Sequence, residues 1–193
     1  MTPVRDLRSR LLEAAEAILE ESGAREFSVR AVTSRAGANV ASVSTVFGGR
    51  TALLDELLSR RLADLGVERA HRLRGVHDRG GDLSEVVSAF LQPLAAVGTR
   101  EADLLAHLLA LLAEPAGGGR RPVQVLLDDP VVPLFQAEIR RVLPDLPPAA
   151  ATERVALAVG AVYAAVAGTQ HGTRAVTPEL IAFVTAGLRG SPN

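Results

Sequence analysis

Apolar residues recur at helical spacing along nearly the whole chain. Leu7, Leu11, Ala14, Ala15 and Ile18 fall at intervals that draw one apolar stripe down a first helix, and Gly23 supplies its C-terminal stop. Ser28 opens a second, short helix with Val29, Val32 and Ala36 on one side, and Gly37 breaks it. Asn39 is a suitable N-cap for a third short helix that runs to Val46, and Phe47-Gly48-Gly49 ends it. Thr51 is expected to cap a long fourth helix whose stripe is Leu54, Leu57, Leu58, Leu62 and Leu65.

Punctuation is equally clear further on. Asp82-Leu83-Ser84-Glu85 has the form of a capping box, with Asp in place of Ser or Thr. The helix behind it carries Val86, Val87, Phe90, Leu94 and Val97; the next, from Glu101, carries Leu104, Leu105, Leu108, Leu109 and Leu112. The 114–122 stretch is rich in Gly, Pro and Arg and reads as an exposed loop. Pro130 and Pro133 interrupt the next segment, and a helix through Phe135, Ile139 and Leu143 stops at Pro144. Another helix covers 149–169. Thr177-Pro178-Glu179, a cap followed by proline at the first helical position, starts the last one, which ends near Leu188. No segment alternates apolar and polar residues. The pattern therefore predicts an all-α protein of about nine helices: a small N-terminal bundle, residues 1–50, joined through the fourth helix to a larger unit, residues 51–193.

Composition narrows the classes. The chain has 193 residues, enough to bury a sizeable core, with 48% hydrophobic and 22% charged residues, which is ordinary for a globular protein. Cysteine is absent, which excludes disulfides, thiolate metal sites and a Cys nucleophile. The N-terminus lacks the apolar stretch of a signal peptide, and the longest apolar run, 155–168, is shorter than the ~20 residues of a membrane span. A cytoplasmic protein with no membrane partner is the expectation. Every one of the 21 basic residues is Arg, and the formal net charge is −1, so nucleic-acid binding would need a local basic face.

The informative segment is 28–54, SVRAVTSRAGANVASVSTVFGGRTALL. It reads as helix, tight glycine-containing turn, helix and break, which is the helix-turn-helix pattern. Val32, Ala36, Val43 and Phe47 would pack on the first helix. The outward face of the third helix would then carry Val40, Ala41, Ser42, Ser44 and Thr45, small side chains suited to close approach to double-stranded DNA. With Ala36-Gly37 at the turn, Val43 and Phe47 in the third helix and Gly49-Arg50-Thr51-Ala52-Leu53-Leu54 after it, residues 5–58 resemble the TetR family of transcriptional regulators. The resemblance implies that Ser28 touches phosphate, that Arg30 reaches a guanine edge or phosphate, that Val40, Ala41, Ser42 and Ser44 face the major groove, and that Arg50 stands where the family usually has a backbone-contacting Lys. Thr45 and Val46 depart from it, standing where the family commonly has Tyr and His. A basic face would require Arg5, Arg8, Arg10, Arg30, Arg35 and Arg50 to lie together.

For the second half, Gly160, Ala164 and Gly168, spaced four apart, let a helix approach closely; packing within the chain would use the same row. The resemblance implies that the last two helices pair into a homodimer, with Leu180, Val184 and Leu188 completing the interface. Candidates for a small-molecule effector pocket are the apolar Phe90, Leu94, Leu104, Leu105, Leu108, Leu109, Phe135, Val159 and Val162, with His107 and Tyr163 as polar handles; Gln170 and His171 are further candidates. Leucine rows at helical spacing also describe plain core. The absence of a charged cluster among them points to an apolar or neutral effector. No phosphate loop, serine elbow or His-Glu-x-x-His motif is present, so neither an enzyme, a metal site nor a cofactor is expected. The resulting expectation is a DNA-binding repressor acting as a homodimer on a palindrome. The alternative is a helical interaction module without specific DNA binding.

Overall fold

Ten α-helices and one 3-10 turn, with no strand, make up the described part of the chain: the computed structural model describes residues 3–97, 99–114, 122–167 and 176–190. The order is α1 (Pro3–Ser22), the 3-10 turn (Ala24–Glu26), α2 (Val29–Arg35), α3 (Ala41–Phe47), α4 (Arg50–Asp78), α5 (Leu83–Ala96), α6 (Thr99–Ala113), α7 (Pro122–Leu127), α8 (Val132–Val142), α9 (Pro148–Ala167) and α10 (Pro178–Arg189). The all-α expectation holds. The helix beyond the expected nine is α7, six residues that the proline punctuation had hidden.

Local chemistry explains the boundaries. The Ser28 hydroxyl accepts from the Ala31 N–H at 3.1 Å and caps α2. At its other end Ala38 N–H reaches the Thr33 carbonyl and Gly37 N–H the Ser34 carbonyl, a Schellman closure. That closure puts Gly37 at φ +61°, where a side chain would be strained and its Cβ would come within 3.3 Å of the Arg10 guanidinium. The capping box at Asp82 and Glu85 forms in full, and Thr177 caps α10 through the Leu180 N–H. Thr51 does not cap α4. The helix begins one residue earlier, behind Gly48 (φ +89°) and Gly49 (φ +145°), whose backbones turn the corner that no capping side chain needs to make.

One core runs through the molecule. Leu11, Ala15 and Leu19 of α1, Val32 of α2 and Val43 of α3 are closed over by Leu53, Leu54, Leu57 and Leu58 of α4. The same core continues along α4 through Leu62, Leu73 and Val76 into α5, α6, α8, α9 and α10. Helix α6 packs on α1, α4 and α9, so it touches both the helix-turn-helix unit and the larger bundle.

Helix α9, twenty residues long, is apolar and long enough by length and composition to cross a membrane, longer than the apolar run suggested. One row, Val155, Val159, Val162 and Val166, is buried against neighbouring helices, and 28% of the apolar span is buried in all.

Candidate nucleic-acid interface and buried cavity

The α2–turn–α3 unit carries its apolar side inward and its small polar side outward. Val32, Ala36 and Val43 are buried as the sequence predicts, and Phe47 is half-buried. Outward lie Val40, half of whose surface is exposed, Ala41, Ser44 and Thr45, with Ser42 partly covered. The Thr45 hydroxyl donates back to the Ala41 carbonyl at 3.0 Å, so it folds along the helix instead of standing away from it. Ser28 and Arg30 are exposed at the N-terminal end of α2.

The arginines divide into two groups. Arg8 donates to the Val46 carbonyl (2.9 Å), pairs with Glu56 and lies over the Phe47 ring at 4.7 Å. Arg10 donates to the Ala36 and Gly37 carbonyls. Both therefore brace α1 against the turn and α3. Arg35 grips Glu21 through two 2.6 Å hydrogen bonds, and that hydrogen bonding holds the Glu21 carboxyl below its ordinary value. Arg50 pairs with Glu114 at the end of α6 (3.0 Å) and lies over the Phe27 ring at 5.6 Å. Arg30 makes no ion pair or side-chain hydrogen bond among the described residues. A basic face of six equal arginines is thus not what the fold builds, because carbonyls and carboxylates of neighbouring elements take four of them. The side chain of Arg5 lies outside the described residues.

Below this unit α4 runs along a partly enclosed cavity of about 40 Å³. Its walls are Leu58, Leu62 and Arg69 of α4, Phe90 and Leu94 of α5, Leu105 and Leu109 of α6, Leu126 of α7, Asp129 of the α7–α8 turn, and Val159, Val162, Tyr163 and Val166 of α9. Other effector candidates lie elsewhere. Leu104 and Leu108 are wholly buried in the core and do not line the cavity, and neither does Phe135, which stacks on Phe90 (ring centroids 4.2 Å apart). His107 packs beneath Gly23 and lines a surface groove with Glu20, Glu21, Arg100 and Asp103. Gln170 and His171 lie outside the described residues.

The polar feature that sequence reasoning missed is Arg69. It is 3% exposed, its Nη1 donates to Asp129 Oδ2 at 3.2 Å, and its Nε donates to the Phe90 carbonyl at 3.1 Å. The guanidinium lies 4.7 Å over the Phe90 ring. Asp129 is 5% exposed and also accepts from the Val131 N–H at 3.0 Å. Burial lowers the Arg69 pKa and raises that of Asp129, because each charge has left water. The signal was present in the sequence: Arg69 continues the α4 stripe of Leu58, Leu62 and Leu65 towards Leu73 and Val76.

At the other end of the bundle, Val184 and Leu188 turn inward, 3% and 0% exposed, and Leu180 is half-buried. They pack into the chain's own core, where α10 meets α5 and α9. Surface-facing apolar residues of these helices include Leu157 and Phe183, about two-thirds exposed, with Ala164, Ala186 and Gly187. A Cβ placed on Gly160 or Gly187 would meet open space. Gly168 lies outside the described residues.

A helix-turn-helix unit mounted on a larger helical bundle defines a class of DNA-binding regulators. Residues 11–57 match the family described as bacterial regulatory proteins, tetR family, and residues 88–187 match the tetracyclin repressor-like C-terminal domain. The chain belongs to the TetR family of transcriptional regulators. No curated protein matches it. Among solved structures, a transcriptional regulator from Rhodococcus sp. Rha1 is 25% identical, with a TM-score of 0.55 and 94% of each chain covered. RolR in complex with resorcinol is 15% identical and has a TM-score of 0.66, covering 96% of this chain and 87% of that one. A second regulator, from Rhodococcus sp. RHA1, is 15% identical with a TM-score of 0.56, covering 96% and 94%. These likenesses establish a shared fold.

Proposed function

We propose that the protein is a ligand-responsive repressor. It binds a palindromic operator as a homodimer through residues 1–50, and a small, mainly apolar effector bound within residues 51–193 releases it. The observation that carries this reading is the continuity of α4. One helix of 29 residues starts beside the helix-turn-helix at Arg50 and forms a cavity wall at Leu58, Leu62 and Arg69. At ~1.5 Å per residue, Arg69 sits roughly 29 Å along the axis from Arg50. Wall movement at the cavity therefore reaches the DNA-reading unit through a rigid element.

The small size of the cavity supports a conformational coupling. Its 40 Å³ is well below the ~150 Å³ that accepts a benzene ring, so a ring-sized ligand must part the helices. An effector favouring the parted state shifts the equilibrium by its difference in affinity for the two states. RolR was solved with resorcinol, which supports a small-molecule effector on the same fold. The outward row on α9 and α10 supports pairing of two chains, which would set two copies of α3 ~34–36 Å apart, one turn of DNA.

Sheared genomic DNA, incubated with the purified protein at controlled salt and sequenced after recovery, tests the reading. Enrichment of fragments sharing a palindrome is expected. Arg30→Ala combined with Arg50→Ala should abolish that enrichment while leaving the circular dichroism spectrum unchanged. Recovery without sequence preference would favour a helical interaction module.

A further inference from the structure

We propose that the cavity takes an uncharged, mainly apolar molecule whose carbonyl-type oxygen accepts hydrogen bonds from Arg69 and Tyr163. The proposal rests on the reading of this cavity as the effector site. The Arg69–Asp129 pair is already balanced in charge, inside walls that are otherwise apolar apart from Tyr163. Burial disfavours the charged form of both partners, so the site has no spare solvation for a third charge. A carboxylate or ammonium entering here would remain uncompensated, the costly case for buried charge.

Hydrogen-bond capacity decides the polarity of the ligand's head. A guanidinium has five N–H donors, and Arg69 uses one on Asp129 and one on the Phe90 carbonyl. Its Nη2 has no partner among the described residues, although the side chain is almost wholly buried. The Tyr163 hydroxyl likewise has none. Each Asp129 carboxylate oxygen, in contrast, already accepts one hydrogen bond. Donors of the buried Arg69 and the half-buried Tyr163 therefore outnumber acceptors at this end of the cavity, which favours a ligand group that accepts. A carbonyl supplies that acceptor without bringing a donor or a charge. Leu58, Leu62, Leu105, Leu109 and Val162 would cover its apolar remainder.

Four probes of similar size separate the possibilities: acetophenone, ethylbenzene, benzoate and 1-phenylethylammonium. Each is titrated calorimetrically into the full-length protein without DNA. Acetophenone is expected to bind about tenfold more tightly than ethylbenzene, the worth of one or two hydrogen bonds, and the two ions not measurably. Tyr163→Phe should weaken acetophenone about three- to tenfold and leave ethylbenzene unchanged, a difference that a loss of packing would not produce. Equal binding of ethylbenzene, binding of either ion as tight as acetophenone, or no acetophenone binding at millimolar concentration overturns the proposal. Because DNA is absent, these outcomes are separate from the genomic selection. A palindrome recovered alongside a failed titration removes the ligand class and leaves the regulator. Acetophenone binding without any recovered palindrome leaves the ligand class and removes the palindrome-binding repressor.

Discussion

Asp129→Asn isolates what the buried ion pair contributes. Asparagine keeps nearly the same volume, and its side-chain oxygen can still accept from the Val131 N–H. What disappears is the countercharge to Arg69, whose side chain is 4% exposed. An arginine cannot shed its proton at any pH a protein survives, so the variant buries an uncompensated cation. Breaking such a pair costs about 3–5 kcal/mol, and near-complete burial on both sides leaves no reason to discount for solvent screening. For a chain of this length each kcal/mol moves the melting temperature by about 2–4 °C, so the expected drop is roughly 10 °C. Urea unfolding followed by circular dichroism, at one fixed protein concentration and pH 7, measures the free-energy loss, and a thermal scan in the same buffer measures the drop. The double variant Arg69→Met with Asp129→Leu removes both charges and should recover most of the loss. A cost below about 1 kcal/mol for Asp129→Asn, the size of an exposed pair, would refute the claim that this pair is buried.

Other consequences are more local. Glu114→Gln frees Arg50 from a pair that is half exposed on the glutamate side, so operator affinity should rise about two- to fivefold at low salt and the gain should fade as salt increases. Phe183→Glu, on the outer face of α10, should turn a light-scattering dimer into a 20.2 kDa monomer, and an unaltered dimer would place the interface elsewhere. The Glu138 side chain is 6% exposed; burial alone would raise its pKa, but hydrogen bonds from Arg141 (2.7 Å) and His77 (2.8 Å) outweigh burial and hold it below its ordinary value. A lowered folded pKa contributes stability above about pH 4.5 and loses it as pH falls through the folded value. The stability advantage over Glu138→Gln, from urea midpoints at pH 7 and pH 3.5, should therefore shrink in acid.

Much of the fold was legible because its causes are local. Capping at Ser28, Asp82 and Thr177, the stop at Gly37 and the 3.6-residue stripes each depend on residues a few positions apart. The inward and outward faces of α2 and α3 came from the same periodicity. Helix α7 was missed because six residues between prolines and a Gly-rich stretch carry too short a period to register. Effector and interface residues were harder. A helix such as α10 has apolar residues on two faces, and periodicity does not say which one meets the chain's own core. Val184 and Leu188 went inward while Phe183 stayed out.

By itself, then, the sequence determined the helices, their ends and the helix-turn-helix, since hydrogen-bond capping and amphipathic spacing act over one or two turns. Only the tertiary structure decided which arginines remain available. Arg8, Arg10, Arg35 and Arg50 meet partners between 14 and 64 residues away, and no local pattern records such meetings. Only it, too, brought Arg69 to Asp129 across 60 residues. There a charge on an apolar stripe becomes the polar end of a cavity, because desolvation and pairing depend on what packs around a residue and not on what precedes it.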